Sequence, residues 1–273
     1  MPLAKIIERY EVLLIDAYGV LVDDSSCLPH ARNFLQHLEA IGKDYFILTN
    51  GSSKQVGEAS FSYAKKGLAI APSRIISSGM VTSHWLKAHA KKKFLVLGPS
   101  SSYAFIEEAG CTALSAMATE ADGVVITDQS GYDFVSAVDN VINLVLARRR
   151  QGLETLLILA NPDLVYPAKP FAFGVTSGVV AQVIESALAV ILRNEAPKFI
   201  RIGKPYLPIF DFAKNKIGHK SFLMIGDQLD TDILGANQAG IDSLLVGTGI
   251  CDIKNISKET PAKATFILHD LEL

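Results

Sequence analysis

Val12-Leu13-Leu14-Ile15-Asp16-Ala17-Tyr18-Gly19-Val20-Leu21 lies near the start of a 273-residue chain. Four apolar, mostly branched residues stop at an aspartate, and a short glycine-containing turn follows. Such a run reads as a buried strand that delivers a carboxylate at its C-terminal tip. That tip is where open α/β sheets carry their chemistry. With backbone N–H groups of a tight turn around it, Asp16 is a candidate nucleophile or metal ligand. Taken alone, the same aspartate also reads as a cap for the turn after it.

Downstream the pattern recurs. Phe34, Leu35 and Leu38 stand at helical spacing within 31–40, and Gly42 ends that segment. Asp44-Tyr45-Phe46-Ile47-Leu48 then empties into Thr49-Asn50-Gly51-Ser52-Ser53. The spacing predicts helices over 55–66, 81–89, 104–109 and 134–149, and strands over 94–97, 123–127 and 155–160. A helix over 179–192 leads to a strand at 199–202 and to Gly203-Lys204-Pro205. After a helix over 207–216, the strand 221–225 runs into Gly226-Asp227-Gln228-Leu229-Asp230-Thr231-Asp232. A helix over 233–239 and a strand at 243–246 follow. Strands alternating with helices imply parallel βαβ units, an α/β fold. No fixed-period repeat or low-complexity linker interrupts the alternation, so a second domain has to be an insertion with short connections.

The length allows one large domain or two smaller ones, since single cores stop growing at about 250 to 300 residues. With 49% hydrophobic and 20% charged residues, the chain has the composition of a globular protein. A net charge of −2 offers no general attraction for nucleic acid or an anionic membrane surface. The basic runs at 91–93 and 148–150 each follow a helical segment and read as solvated helix ends. Cys27, Cys111 and Cys251 stand far apart, without a CxxC pair, which fits a reducing compartment. Lys5, Glu8 and Arg9 interrupt what would be a signal's apolar region, and no stretch approaches ~18 uncharged apolar residues, so a cytoplasmic location is expected. None of the six histidines forms a ligand pair at useful spacing.

Four strand tips carry distinct chemistry: Asp16, Thr49 with Asn50, Lys204, and Asp227 with Asp232. Gathered at one crevice they supply a carboxylate nucleophile, a hydroxyl with backbone donors, a fixed cation and a metal cage, the parts that phosphoryl transfer needs. Each has a plainer reading. Lys204 alone reads as a surface lysine before a proline turn, and Asp230 or Thr231 as the N-cap of the helix from Ile233.

The order and spacing of these pieces resemble the haloacid dehalogenase (HAD) superfamily, specifically its class IIA capped phosphatases, the NagD-like group. The most specific matches are Leu48-Thr49-Asn50-Gly51-Ser52, Ala160-Asn161-Pro162-Asp163, Ile202-Gly203-Lys204-Pro205 and Gly226-Asp227-Gln228-Leu229-Asp230-Thr231-Asp232-Ile233. The resemblance covers essentially the whole chain. It implies a Rossmann-like parallel-sheet core in two parts, 1–78 and 179–273, and an inserted α/β cap of the C2 type at 79–178 that lies over the crevice. It also implies that Asp16 attacks phosphorus. Thr49, with the Asn50 and Gly51 amides, binds phosphate oxygens, and Lys204 neutralises the phosphate. Asp16, Asp227 and the backbone carbonyl of Tyr18 hold Mg²⁺, and Asp232 acts through water or a hydrogen bond to Lys204. Asp128, Gln129 and Tyr132, after the strand at 123–127, are candidate substrate contacts from the cap. The expected ligand is a small phosphorylated metabolite, and pairing of two copies through the cap is compatible with the resemblance.

One position departs from the pattern. Phosphatase members usually carry a second aspartate two residues after the nucleophile, and here Tyr18 stands there. General acid-base help of that kind is worth roughly 10²- to 10⁴-fold. A phenol with an ordinary pKa of about 10 donates a hydrogen bond but is a poor base at neutral pH. Three readings stay open: a slow phosphatase, a transferase that passes the phosphoryl group to another acceptor, and a non-catalytic binder of a phosphorylated metabolite or protein.

Overall fold

A computed structural model of the chain describes residues 1–169, 172–218, 220–256 and 260–273. The first third runs α1 (Leu3–Ile7), β1 (Val12–Ile15), α2 (Ala31–Ala40), β2 (Asp44–Thr49), α3 (Val56–Lys65), β3 (Ile75–Ser77) and α4 (Ser78–Leu86). Then come β4 (Lys93–Leu97), α5 (Tyr103–Glu107), β5 (Thr112–Leu114), β6 (Gly123–Ile126), α6 (Phe134–Arg150), β7 (Leu156–Leu159), β8 (Val165–Lys169) and β9 (Ala172–Val175). The chain closes with α7 (Ser177–Leu192), β10 (Ile200–Arg201), α8 (Leu207–Ile217), β11 (Phe222–Gly226), α9 (Leu234–Gln238), β12 (Asp242–Val246) and β13 (Phe266–Leu268).

The decisive stretch forms β1, which pairs in parallel with β11 on one side and β2 on the other, Ile15 lying opposite Ile225 and Ile47. Side chains alternate across a strand. Leu13 and Ile15 therefore enter an apolar layer with α1 and α2, while Val12 and Leu14 enter the opposite layer with Ile209, Phe210 and Met224. All four are fully buried, which explains the unbroken apolar run in the sequence. The strand order of this sheet is β13-β12-β11-β1-β2-β3. From β1 the chain steps outward through β2 and β3, and it returns on the other side at β11. The switch point thus falls between β1 and β11, and a crevice opens beyond their carboxyl ends.

A second parallel sheet has the order β10-β7-β6-β4-β5 and is not continuous with the first. One of its faces packs Leu95, Val124, Ile126 and Leu159 against α6 and α7. Its other face sends Phe94, Val96, Val125 and Ile158 into the layer that also takes Val12, Leu14 and Met224. The two sheets therefore share a core through α4, α5 and α8. Beyond residue 178, α7 and β10 also serve the second sheet, although the sequence pattern groups them with the core. Within α7, the buried Glu185 accepts from the Phe199 amide (2.8 Å) and pairs with Arg201 (2.9 Å), fixing the helix to β10. The segment 177–195 has the length and mean hydropathy of a membrane span, but it carries Glu185 and so is not an uncharged apolar stretch. Here Val180, Ala181, Ile184 and Leu188 face the second sheet's core.

Sequence periodicity misses the antiparallel hairpin β8–β9 and the edge strand β13. The expected cap at Asp230 or Thr231 is also not formed. Residues Leu229–Ile233 make a π turn leading into α9, and the carboxylate that accepts from the Gln228 amide (3.2 Å) is Asp232's.

Phe105 of α5 is fully buried in the shared layer, its ring against Gly79 of α4. Phe105→Ala is expected to cost about 3–5 kcal/mol in urea unfolding. A loss below about 1 kcal/mol would contradict a shared core.

Candidate active site

Three β-strand tips and one loop converge at the switch point. Asp16 follows β1, Asp227 follows β11, Thr49 ends β2, and Lys204 comes three residues after Arg201, the last residue of β10. Lys204 is buried, and its Nζ lies 2.7 Å from Asp16 Oδ1 and 2.7 Å from Asp232 Oδ1. Asp232 is fully buried and reaches the crevice from the π turn. Asp227 is held from the other side, its Oδ2 accepting from the Ile250 amide at 2.9 Å. Backbone crowds this carboxylate: a Cβ at Gly19, whose φ is +83°, or at Gly249 would collide with it. At these two positions glycine is a condition for the aspartate being there at all.

Asp227 Oδ1 is buried with no hydrogen-bond partner. Oxygens of Asp16, Asp227 and Asp232 lie within 4.8 Å of one another. Three carboxylates against one ammonium leave two negative charges uncompensated. A hard divalent cation with oxygen ligands fits both the orphaned oxygen and the charge deficit. Burial is the main reason that the Asp16 and Asp227 carboxyls are pushed above their ordinary range, with neighbouring carboxylates adding to it; for Asp16 the shift is to about 7 despite Lys204. The two partners hold the Lys204 ammonium protonated, outweighing its desolvation.

Asn50 acts as a brace. Its side-chain Oδ1 accepts from the Lys204 amide (2.7 Å), and its Nδ2 donates to the Lys204 carbonyl (3.0 Å) and to Asp163 Oδ1 (2.8 Å). The loops after β2, β7 and β10 are thereby tied together. The Gly51 amide donates to Thr49 Oγ1 at 3.2 Å, and Ser78 Oγ donates to the Asn50 carbonyl at 2.7 Å.

Asp16, Thr49, Asn50, Gly51 and Lys204 form the floor of a cavity of about 300 Å³ whose roof includes residues from the loops after β6 and β7 of the second sheet. Asp128 and Gln129 line it, and so does Tyr18. Tyr132 does not: it packs on the core of the second sheet and its hydroxyl donates to the Asp128 carbonyl at 3.2 Å. Tyr18 is 39% exposed, with Lys66 Nζ 4.8 Å from its ring centre. Burial and the nearby Asp23 and Asp24 raise its phenol pKa, so it is a weaker acid than a free tyrosine. Sequence reading gave Asn161 and Asp163 no role, and passed over Asp24 and Tyr166, yet all four face the cavity. Burial raises the Asp163 pKa to about 6 against the pull of Lys204 and Asn50. Larger grooves of about 720 and 630 Å³ lie elsewhere, and neither is lined by any of these acidic residues.

Residues 13–112 match the family model of haloacid dehalogenase-like hydrolases, and residues 201–273 match a second, HAD-hydrolase-like model. A dihydroxyacetone phosphatase of Corynebacterium glutamicum is 31% identical, over 94% of this chain and 88% of its own. An acid sugar phosphatase of Staphylococcus haemolyticus is 25% identical, over 97% and 95%. The crystal structure of a "possible sugar phosphatase, HAD superfamily" from Cytophaga hutchinsonii matches with a TM-score of 0.86 at 30% identity, over 100% and 99% of the two chains. The chain belongs to the haloacid dehalogenase-like hydrolases.

The charge deficit gives a pH signature. Asp16 and Asp163 have folded pKa values raised from 3.8 to about 7 and about 6. Their neutral forms stabilise the fold below pH 4, and that stability is lost as pH rises through 6 and 7. A cation in the cage offsets the loss. Saturating Mg²⁺ at roughly 100 times its dissociation constant is expected to raise the melting temperature by about 5 °C or more at pH 8. At pH 5 the rise should be markedly smaller. Equal shifts at both pH values, or none, would contradict the reading of the cage.

Proposed function

We propose that this chain is a metal-dependent phosphatase for a small phosphorylated metabolite, working through an aspartyl phosphate on Asp16. The observation that carries the reading is the Lys204 ammonium 2.7 Å from both Asp16 and Asp232, beside the orphaned Asp227 oxygen. Asp16, Asp227 and Asp232 would hold the cation, which when bound lowers the charge that a phosphate must meet. Lys204 favours the carboxylate form of Asp16 against its burial and offers positive charge to the incoming oxygens. Asp16 oxygen bonds to phosphorus, and the ester P–O bond breaks with its electron pair on the leaving oxygen. Water then attacks phosphorus, releasing inorganic phosphate and returning the Asp16 carboxylate. Proton transfer at both stages falls to Tyr18 or water.

The second sheet with its helices acts as the cap, and the segment 79–178 with α7 and β10 is the unit that excludes water from the floor. The same reading takes the protein as cytoplasmic and as pairing through the cap, where Val183, Val190 and Ile191 of α7 are exposed. A second reading, a binder without turnover, rests on the lack of a carboxyl at Tyr18.

Rates across phosphate esters of graded leaving-group pKa, with Mg²⁺, separate the readings. Aryl phosphate is expected to be hydrolysed far faster than alkyl phosphate, with activity lost in Asp16→Asn. Tyr18→Asp should gain at least about tenfold on alkyl phosphates, the cautious side of the general acid-base range. Equal turnover by wild type and Asp16→Asn would remove the enzyme reading. No gain in Tyr18→Asp would place the proton source elsewhere.

A further inference from the structure

The floor of the cavity fixes which end of a substrate goes where. Lys204, and a cation that the carboxylates would hold, would meet the phosphate, so the esterified group extends toward Asp128, Gln129, Asn161, Val165 and Tyr166 in the roof. At about 300 Å³ the space is at the small end of ligand pockets, so that group is short. Among the described residues lining the cavity, Lys204 is the only cation, and two carboxylates already hold it.

The negative groups of the wall differ in how far they are compensated. Asp163 accepts from Asn50 and lies in the field of Lys204. Asp24 lies in the field of Lys66, whose Nζ donates to the neighbouring Asp23 carbonyl. Asp128 is different. Its Oδ1 accepts from the Ser130 amide (2.9 Å) and the Ser130 hydroxyl (2.6 Å), which orient the carboxylate but are neutral donors and leave its charge uncancelled. No ion pair is recorded for it among the described residues.

We infer that Asp128 is a specificity-determining residue that filters the leaving group by charge. The site takes phosphate esters of uncharged polyols or amino alcohols and rejects esters that carry a carboxylate or a second phosphate. Hydroxyl and ammonium groups donate to Asp128, whereas an anionic group faces like charge. The inference rests on the phosphatase reading and goes beyond it in naming the chemistry of the leaving group.

The test compares kcat/KM of the wild type with Mg²⁺ on three small alkyl phosphates: glycerol 3-phosphate, 3-phosphoglycerate and phosphoethanolamine. Aryl phosphate with the Asp16→Asn control serves as the independent check of the phosphatase reading. Glycerol 3-phosphate is expected to exceed 3-phosphoglycerate by at least about tenfold, with phosphoethanolamine no worse than glycerol 3-phosphate. Asp128→Asn should narrow the glycerate gap by at least about fivefold, and Asp128→Glu should keep it. Where the Asn variant does not fold, the wild-type gap read at low and high salt replaces it, because screening should narrow an electrostatic gap. Aryl turnover with 3-phosphoglycerate as good as glycerol 3-phosphate overturns this inference alone. So does a gap that neither Asp128→Asn nor salt changes. Absence of Asp16-dependent turnover on every ester overturns both readings.

Discussion

One buried ammonium among buried carboxylates is the constraint on which the site depends. Lys204 sits 2.7 Å from both Asp16 and Asp232, with Asp227 beside them, and all four side chains are buried. Taking such charges out of water costs several kcal/mol each unless close partners and hydrogen bonds compensate. Lys204 compensates for one charge only. Burial, with the remaining deficit adding to it, raises the Asp16 and Asp227 carboxyl pKa values, and the deficit makes the floor receptive to a cation. The same pairing keeps the lysine where a phosphate can reach it.

The fold supplies this arrangement by topology. β1 and β11 are neighbours at the switch point, so Asp16 and Asp227 arrive side by side although 211 positions apart in sequence. Asn50 then ties the loop after β2 to the loop carrying Lys204 and to Asp163. Since Asp163 and Asp128 belong to loops of the second sheet, the brace and the roof are built with that sheet. The shared apolar layer beneath, with Leu14 from one sheet and Val125 from the other, holds roof and floor in register.

Much of this was legible in the sequence, for a physical reason. Strands buried on both faces must be apolar along their length, and a charged residue that ends such a run marks the tip. That logic identifies Asp16, Asp227 and the turn before Lys204. It fails where burial is one-sided or absent: β8 and β9 form a hairpin with Val165, Phe173 and Val175 exposed, and no periodic pattern announces them. It also fails for Asp163, whose carboxylate acquires its role only when tertiary closure brings it to Asn50. Helix capping by Asp230 or Thr231, expected beside metal binding in the acidic loop, does not form: Leu229–Ile233 make a π turn, and Asp232 pairs with Lys204. The sequence pattern grouped α7 and β10, beyond 178, with the core because an apolar-faced helix does not say which sheet it covers.

Lys204 is held by charge compensation and not by packing. A double-mutant cycle of Lys204→Met and Asp232→Asn, read by urea unfolding in Mg²⁺-free buffer at pH 8, tests it most directly. Lys204→Met alone is expected to lose about 3–5 kcal/mol, the cost of leaving buried carboxylates uncompensated. In the wild type, Asp232→Asn should destabilise. In the Lys204→Met background it should stabilise, because it removes a charge that has lost its partner. Additive effects, with Asp232→Asn equally destabilising in both backgrounds, would contradict the account.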